Sequence, residues 1–66
     1  MINENKTYSL TKRETQIITC LSKGKLYKEI AHENSISIET VKKHAKNIYK
    51  KLGVRNRTEA ANKVNN

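Results

Sequence analysis

Lys43, Lys46 and Lys50 follow one another at intervals of three and four residues, the spacing that gathers side chains on one side of a helix, and Lys42 stands four residues before Lys46. Each ammonium is a compact point charge with three donors and no acceptor, suited to phosphate oxygens or to the acceptors on base edges. The chemistry on offer is anion binding. Thr40 and Asn47 flank the row and add short polar groups. His44 sits among them, yet neither Cys20 nor His32 stands at metal-ligand spacing to it, and no carboxylate is placed by sequence to orient it as a base. It reads as a packed or phosphate-side histidine. Cys20 is the single cysteine, which excludes an internal disulfide and a zinc site built on several thiolates. The residues therefore predict no catalytic group, no metal and no cofactor.

The composition of the 66 residues leans the same way, with fourteen Lys and Arg against six Asp and Glu, a formal charge of +8. Eight like charges oppose compaction, and a polyanionic partner relieves that repulsion. A chain this short holds one core, not a cleft walled by two domains, so most enzyme architectures are disfavoured. With 35% hydrophobic residues and no Phe, Trp or Pro, the core must come from aliphatic packing. No apolar run approaches the roughly 18 residues of a membrane span, and Met1 to Lys6 lack an apolar signal region. The reading is a cytoplasmic domain with no membrane partner.

Positioning the lysines requires a helix with a buried opposite side, and the pattern supplies one. Residues 1–9 are polar and without period, a lead or the end of a linker; the domain occupies 10–66. Thr11 and Glu14 form a capping box that opens a first helix, whose Ile17, Ile18 and Leu21 make one apolar stripe with Cys20 on its margin. Gly24 ends it. A second helix is predicted from about Leu26 to His32, with Leu26, Ile30 and Ala31 or Tyr27 inward and no good N-cap. Asn34 tolerates left-handed geometry in the turn that follows, and Ser37 caps what comes next. In the third helix, about Ile38 to Leu52, the residues Ile38, Val41, Ala45, Ile48 and Leu52 repeat at intervals of 3, 4, 3 and 4. Gly53 closes it. Asn56 and Glu59 open a last short helix through about Val64. No segment alternates as a strand does, so the fold class is all-α with four helices.

At about 100° per residue, Lys43, Lys46 and Lys50 project nearly opposite the apolar stripe of the third helix, with Lys42 and Asn47 on its shoulders. Five lysines against one glutamate leave this helix a balance of +4. A merely soluble face pairs Glu with Lys at i, i+4, and here Glu39 and Lys43 are the single such pair in the favourable order. A charged helix after a short helix and turn is the arrangement that enters the major groove of DNA.

The blocks Leu10 to Glu14, Gly24, Lys28 to Ala31, Ile36 and Ser37, Thr40 to His44, Ile48, Lys51 to Val54 and Asn56 to Thr58 together resemble the LuxR-type helix-turn-helix domain. That domain is the output part of the NarL/FixJ class of response regulators and of small regulators similar to GerE. The resemblance covers about residues 10 to 64. It implies a tetrahelical domain whose third helix is the recognition helix for double-stranded DNA, acting in transcription regulation in a two-component system. Carried over residue by residue, it implies base reading by Lys42, Lys43 and Lys46. Phosphate or peripheral contacts fall to Lys28, Thr40, His44, Asn47, Lys50 and Arg55. It also implies a weak homodimer through the last helix, with Ala61 and Val64 in the contact, RNA polymerase as a further partner, and a receiver domain outside this chain.

Two positions depart from the family pattern. Asn34 stands where relatives carry an apolar residue, and is expected to turn outward or to cap the C-terminus of the second helix. Leu26 and Tyr27 replace a Ser-Asn cap, a loss of about 0.5–2 kcal/mol. Two other readings of the basic face are a promoter-reading domain like those of sigma factors and a module binding an acidic protein or membrane surface by charge. A membrane-surface helix would show Trp or Phe on an exposed apolar stripe, and both are absent. Tyr49 could be taken for a stacking aromatic, but three tyrosines and no Phe make no platform; it is read as packing near the dimer contact or the core margin.

Overall fold

The computed structural model describes residues 9–65. Four helices follow in chain order: α1 (Lys12–Ser22), α2 (Tyr27–Asn34), α3 (Ile38–Leu52) and α4 (Arg57–Asn65), with no strand among the described residues. The lead assigned to residues 1–9 lies outside the described residues except for Ser9.

Each helix start is fixed by a local bond that satisfies an orphan backbone N–H. At α1 the capping box is complete: Thr11 Oγ1 accepts from the Glu14 N–H at 3.0 Å, and Glu14 Oε1 accepts from the Thr11 N–H at 2.9 Å. Leu26 offers α2 no side-chain acceptor, but Glu29 Oε1 accepts from the Leu26 N–H at 2.7 Å, so half of a box survives the loss of the cap residue. Ser37 caps α3 by accepting from the Thr40 N–H at 3.1 Å. Asn56 Oδ1 does the same for the Glu59 N–H at 2.9 Å, ahead of α4. Gly24 (φ 82°) and Gly53 (φ 71°) take the left-handed geometry that ends α1 and α3.

The predicted stripes meet in one core. Ile17, Ile18 and Leu21 of α1, Ile30 and Ala31 of α2, Val41, Ala45, Ile48 and Leu52 of α3, and Ala60 of α4 are all buried. Helix α3 packs against each of the other three and so forms the spine. Two residues assigned to stripes lie elsewhere. Leu26 is 54% exposed because it is the cap of α2, not part of its inner face. Ile38 is 38% exposed because it opens α3 at the rim, before the stripe reaches the core. Cys20 and Tyr49 pack at the margin of the core, as read from the pattern.

Helix α2 runs two residues past His32, and Ser35, not Asn34, takes the left-handed turn (φ 55°). The cause is Asn34 itself. Its Nδ2 donates to the Ile30 carbonyl at 2.8 Å, which fills a backbone acceptor at the helix end, while Arg13 Nη1 donates to Asn34 Oδ1 at 3.2 Å. Both polar atoms of this amide are thus hydrogen-bonded, and the residue joins α1 to the turn.

Candidate nucleic-acid interface

Three residues, 35–37, connect α2 to α3, and the Ile36 N–H donates back to the Ala31 carbonyl at 3.0 Å, which fixes the reversal. From this turn α3 emerges with its stripe against the core and its opposite side open. Lys42, Lys43, Lys46 and Lys50 are exposed, and none has a hydrogen bond or ion pair among the described residues. Thr40 is half-buried and its Oγ1 lies 2.8 Å from Ser37 Oγ beside the cap. His44 and Asn47 are half-buried on the flanks. Lys28, in the first turn of α2, is exposed, as is Arg55 before α4, where the Arg55 N–H donates to Glu59 Oε1 at 2.8 Å.

Two details revise the charge balance. Lys51, the fifth lysine of α3, is not part of the open row: its Nζ donates to Glu14 Oε1 at 2.7 Å and to the Ser9 carbonyl at 3.3 Å. Glu39 and Lys43, despite their spacing, form no ion pair. Among the described residues the row therefore keeps four unpaired ammonium groups and one unpaired carboxylate.

Glu14 is 5% exposed. Burial is the largest influence on its pKa and acts upward. The Lys51 ammonium and the hydrogen bonds from Thr11 together outweigh burial and leave the pKa lowered. Lys25 is likewise engaged, with Glu33 at 2.6 Å, and that hydrogen bond raises its pKa. These two pairs are structural, and neither involves the α3 row.

Arg57 was not singled out by the sequence pattern. Half-buried at the start of α4, it donates from Nε to the Leu21 carbonyl at 3.2 Å and from Nη2 to the Lys25 carbonyl, and its guanidinium lies 5.8 Å from the centre of the Tyr27 ring. One side chain joins α4, the end of α1 and the start of α2. Beside it the Tyr49 hydroxyl is buried with no hydrogen-bond partner among the described residues, and burial first, then neighbouring Tyr27, push its pKa up. No spacing rule finds such a contact, since its acceptors are backbone carbonyls.

On α4, Ala60 enters the core, Ala61 is half-buried, and Val64 packs partly against the core. Among the described residues no group of His, Cys, Asp and Glu could hold a metal, and no helix is long and apolar enough to cross a membrane.

A four-helix domain in which a capped, lysine-faced third helix follows a three-residue turn is a helix-turn-helix domain. The chain belongs to the luxR family of bacterial regulatory proteins, whose family model matches residues 8–64. It is 53% identical over 53 residues to the transcriptional regulatory protein LiaR of Bacillus subtilis, covering 80% of this chain and 25% of that protein. It is 47% identical over 51 residues to the response regulator protein VraR of Staphylococcus aureus, covering 77% of this chain and 24% of that one. The putative HTH-type transcriptional regulator YhjB of Escherichia coli is 44% identical over 57 residues, 86% of this chain and 28% of the relative. The chain thus spans about a quarter of the length of these relatives.

Proposed function

We propose that this domain binds double-stranded DNA sequence-specifically as part of a transcription regulator, with α3 in the major groove. The observation that carries the reading is the row of four exposed lysines on the side of α3 turned from the core, unpaired among the described residues. In this reading Lys42, Lys43 and Lys46 meet base edges. Lys28, Thr40, His44, Asn47, Lys50 and Arg55 hold the phosphates, which sets register without reading sequence. Ala61 and Val64 supply a small self-complementary contact between two copies on paired half-sites. The likeness to relatives named response regulators extends the proposal to an output domain, governed by a receiver domain outside these residues and acting on RNA polymerase in the cytoplasm.

Selection from a random duplex pool, followed by footprinting, tests it. The expected result is an enriched site with two symmetric halves centred about 10 base pairs, or a multiple of this, apart. Enrichment of no sequence, with binding to anionic vesicles instead, overturns it.

A further inference from the structure

We propose that Glu39 is a specificity residue that reads a cytosine in the major groove, an inference that rests on the DNA-binding reading above. Glu39 lies in the first turn of α3, exposed, with no hydrogen bond or ion pair among the described residues. At 100° per residue, Lys46 and Lys50 project within about 20° of it and Lys43 within about 40°. It therefore heads the same row as the lysines, on the turn that a recognition helix carries deepest towards the bases.

A carboxylate there is repelled by phosphates and accepts hydrogen bonds without donating any. It is tolerated close to the groove floor where it meets a donor. The major groove offers two, the exocyclic amines of cytosine and adenine. The adenine amine sits beside the N7 acceptor, whose lone pair opposes a carboxylate, whereas the cytosine amine has no acceptor next to it on that base. Cytosine is the matched base. Guanine and thymine present acceptors at the same place and are rejected, so one residue both selects and excludes. The lysines alone do neither to this degree, because each ammonium accommodates several acceptors.

A first-turn acid also favours the helix dipole, so the test must separate the two roles. The wild-type domain and its Glu39→Gln and Glu39→Ala variants are taken through the same random-duplex selection, with thermal unfolding of each protein measured in parallel. The wild type is expected to enrich cytosine at one position of each half-site, by about fivefold or more over other bases. Glu39→Gln, whose amide can pair with adenine N6 and N7, is expected to move that position towards adenine. Glu39→Ala is expected to lose the preference there, keep the rest of the site, and bind random duplex more tightly. A site that shows no cytosine dependence on residue 39, with only the unfolding temperature altered, assigns Glu39 to the helix dipole and overturns the inference while leaving DNA reading intact. If the wild type enriches no sequence at all, the DNA-reading proposal falls, and this inference with it.

Discussion

The Lys51 ammonium stands 2.7 Å from Oε1 of Glu14, joining the last turn of α3 to the first turn of α1. The same carboxylate oxygen accepts from the Thr11 N–H, so one buried group closes the cap of α1 and ties α3 to it. Removing Glu14's charge as Glu14→Gln should destabilise the domain by about 1 kcal/mol. The loss falls below the range of about 1.5–3 kcal/mol for charged hydrogen bonds, because the Lys51 end is partly solvated and the Gln carbonyl still accepts. Urea unfolding at neutral pH measures it.

The same contact predicts an acid limb. The folded pKa of Glu14 lies below its ordinary value of 4.5, so the unfolded chain binds the proton first as the pH falls. Its contribution is complete above about pH 5 and declines through the folded pKa below that. Unfolding midpoints followed from about pH 6 to about pH 3 should fall less steeply for Glu14→Gln than for the wild type. Parallel slopes would place the proton uptake elsewhere.

Arg57→Ala should cost about 1–3 kcal/mol, since two carbonyls lose their donors and the Tyr27 ring loses its cation. A core of this size supplies only about 3–5 kcal/mol, so the loss is visible as a large drop in the thermal midpoint by circular dichroism. Arg57→Lys should recover only part of it, because an ammonium cannot span both carbonyls as the guanidinium fork does.

Tyr49→Phe should be neutral or mildly stabilising. The hydroxyl is buried without a partner, and deleting an unsatisfied polar atom removes its desolvation cost. A loss above about 1 kcal/mol in urea unfolding would show that the hydroxyl has a partner in solution, with Tyr27 the candidate.

The helices were legible because periodicity and caps are local. Thr11 with Glu14, Ser37, Asn56 with Glu59, and the two glycines marked their ends, and the Val41 to Leu52 stripe gave the spine. Leu26 and Ile38 misled because they share the stripe's spacing but sit at helix ends, where tertiary packing, not period, decides burial. The charge count on α3 had the right sign but included Lys51, whose partner is 37 residues away in sequence. Glu39 and Lys43 had the spacing of a pair and did not form one. Arg57 was invisible for a related reason: its partners are carbonyls brought near by the fold, and the chain carries no mark for them.

Base reading by Lys42, Lys43 and Lys46 requires that their loss weigh more on the specific site than on any other duplex. Fluorescence anisotropy titrations of the wild type, Lys43→Ala, Lys46→Ala and Lys28→Ala, on the enriched duplex and on a scrambled one over a range of salt, test it most directly. Lys43→Ala and Lys46→Ala should lose about 1–3 kcal/mol on the enriched site and distinctly less on the scrambled one. Lys28→Ala should lose equally on both, with a salt slope shallower by about 0.9. Equal losses on the two duplexes for Lys43→Ala and Lys46→Ala would contradict it, and would leave α3 as a phosphate-binding surface.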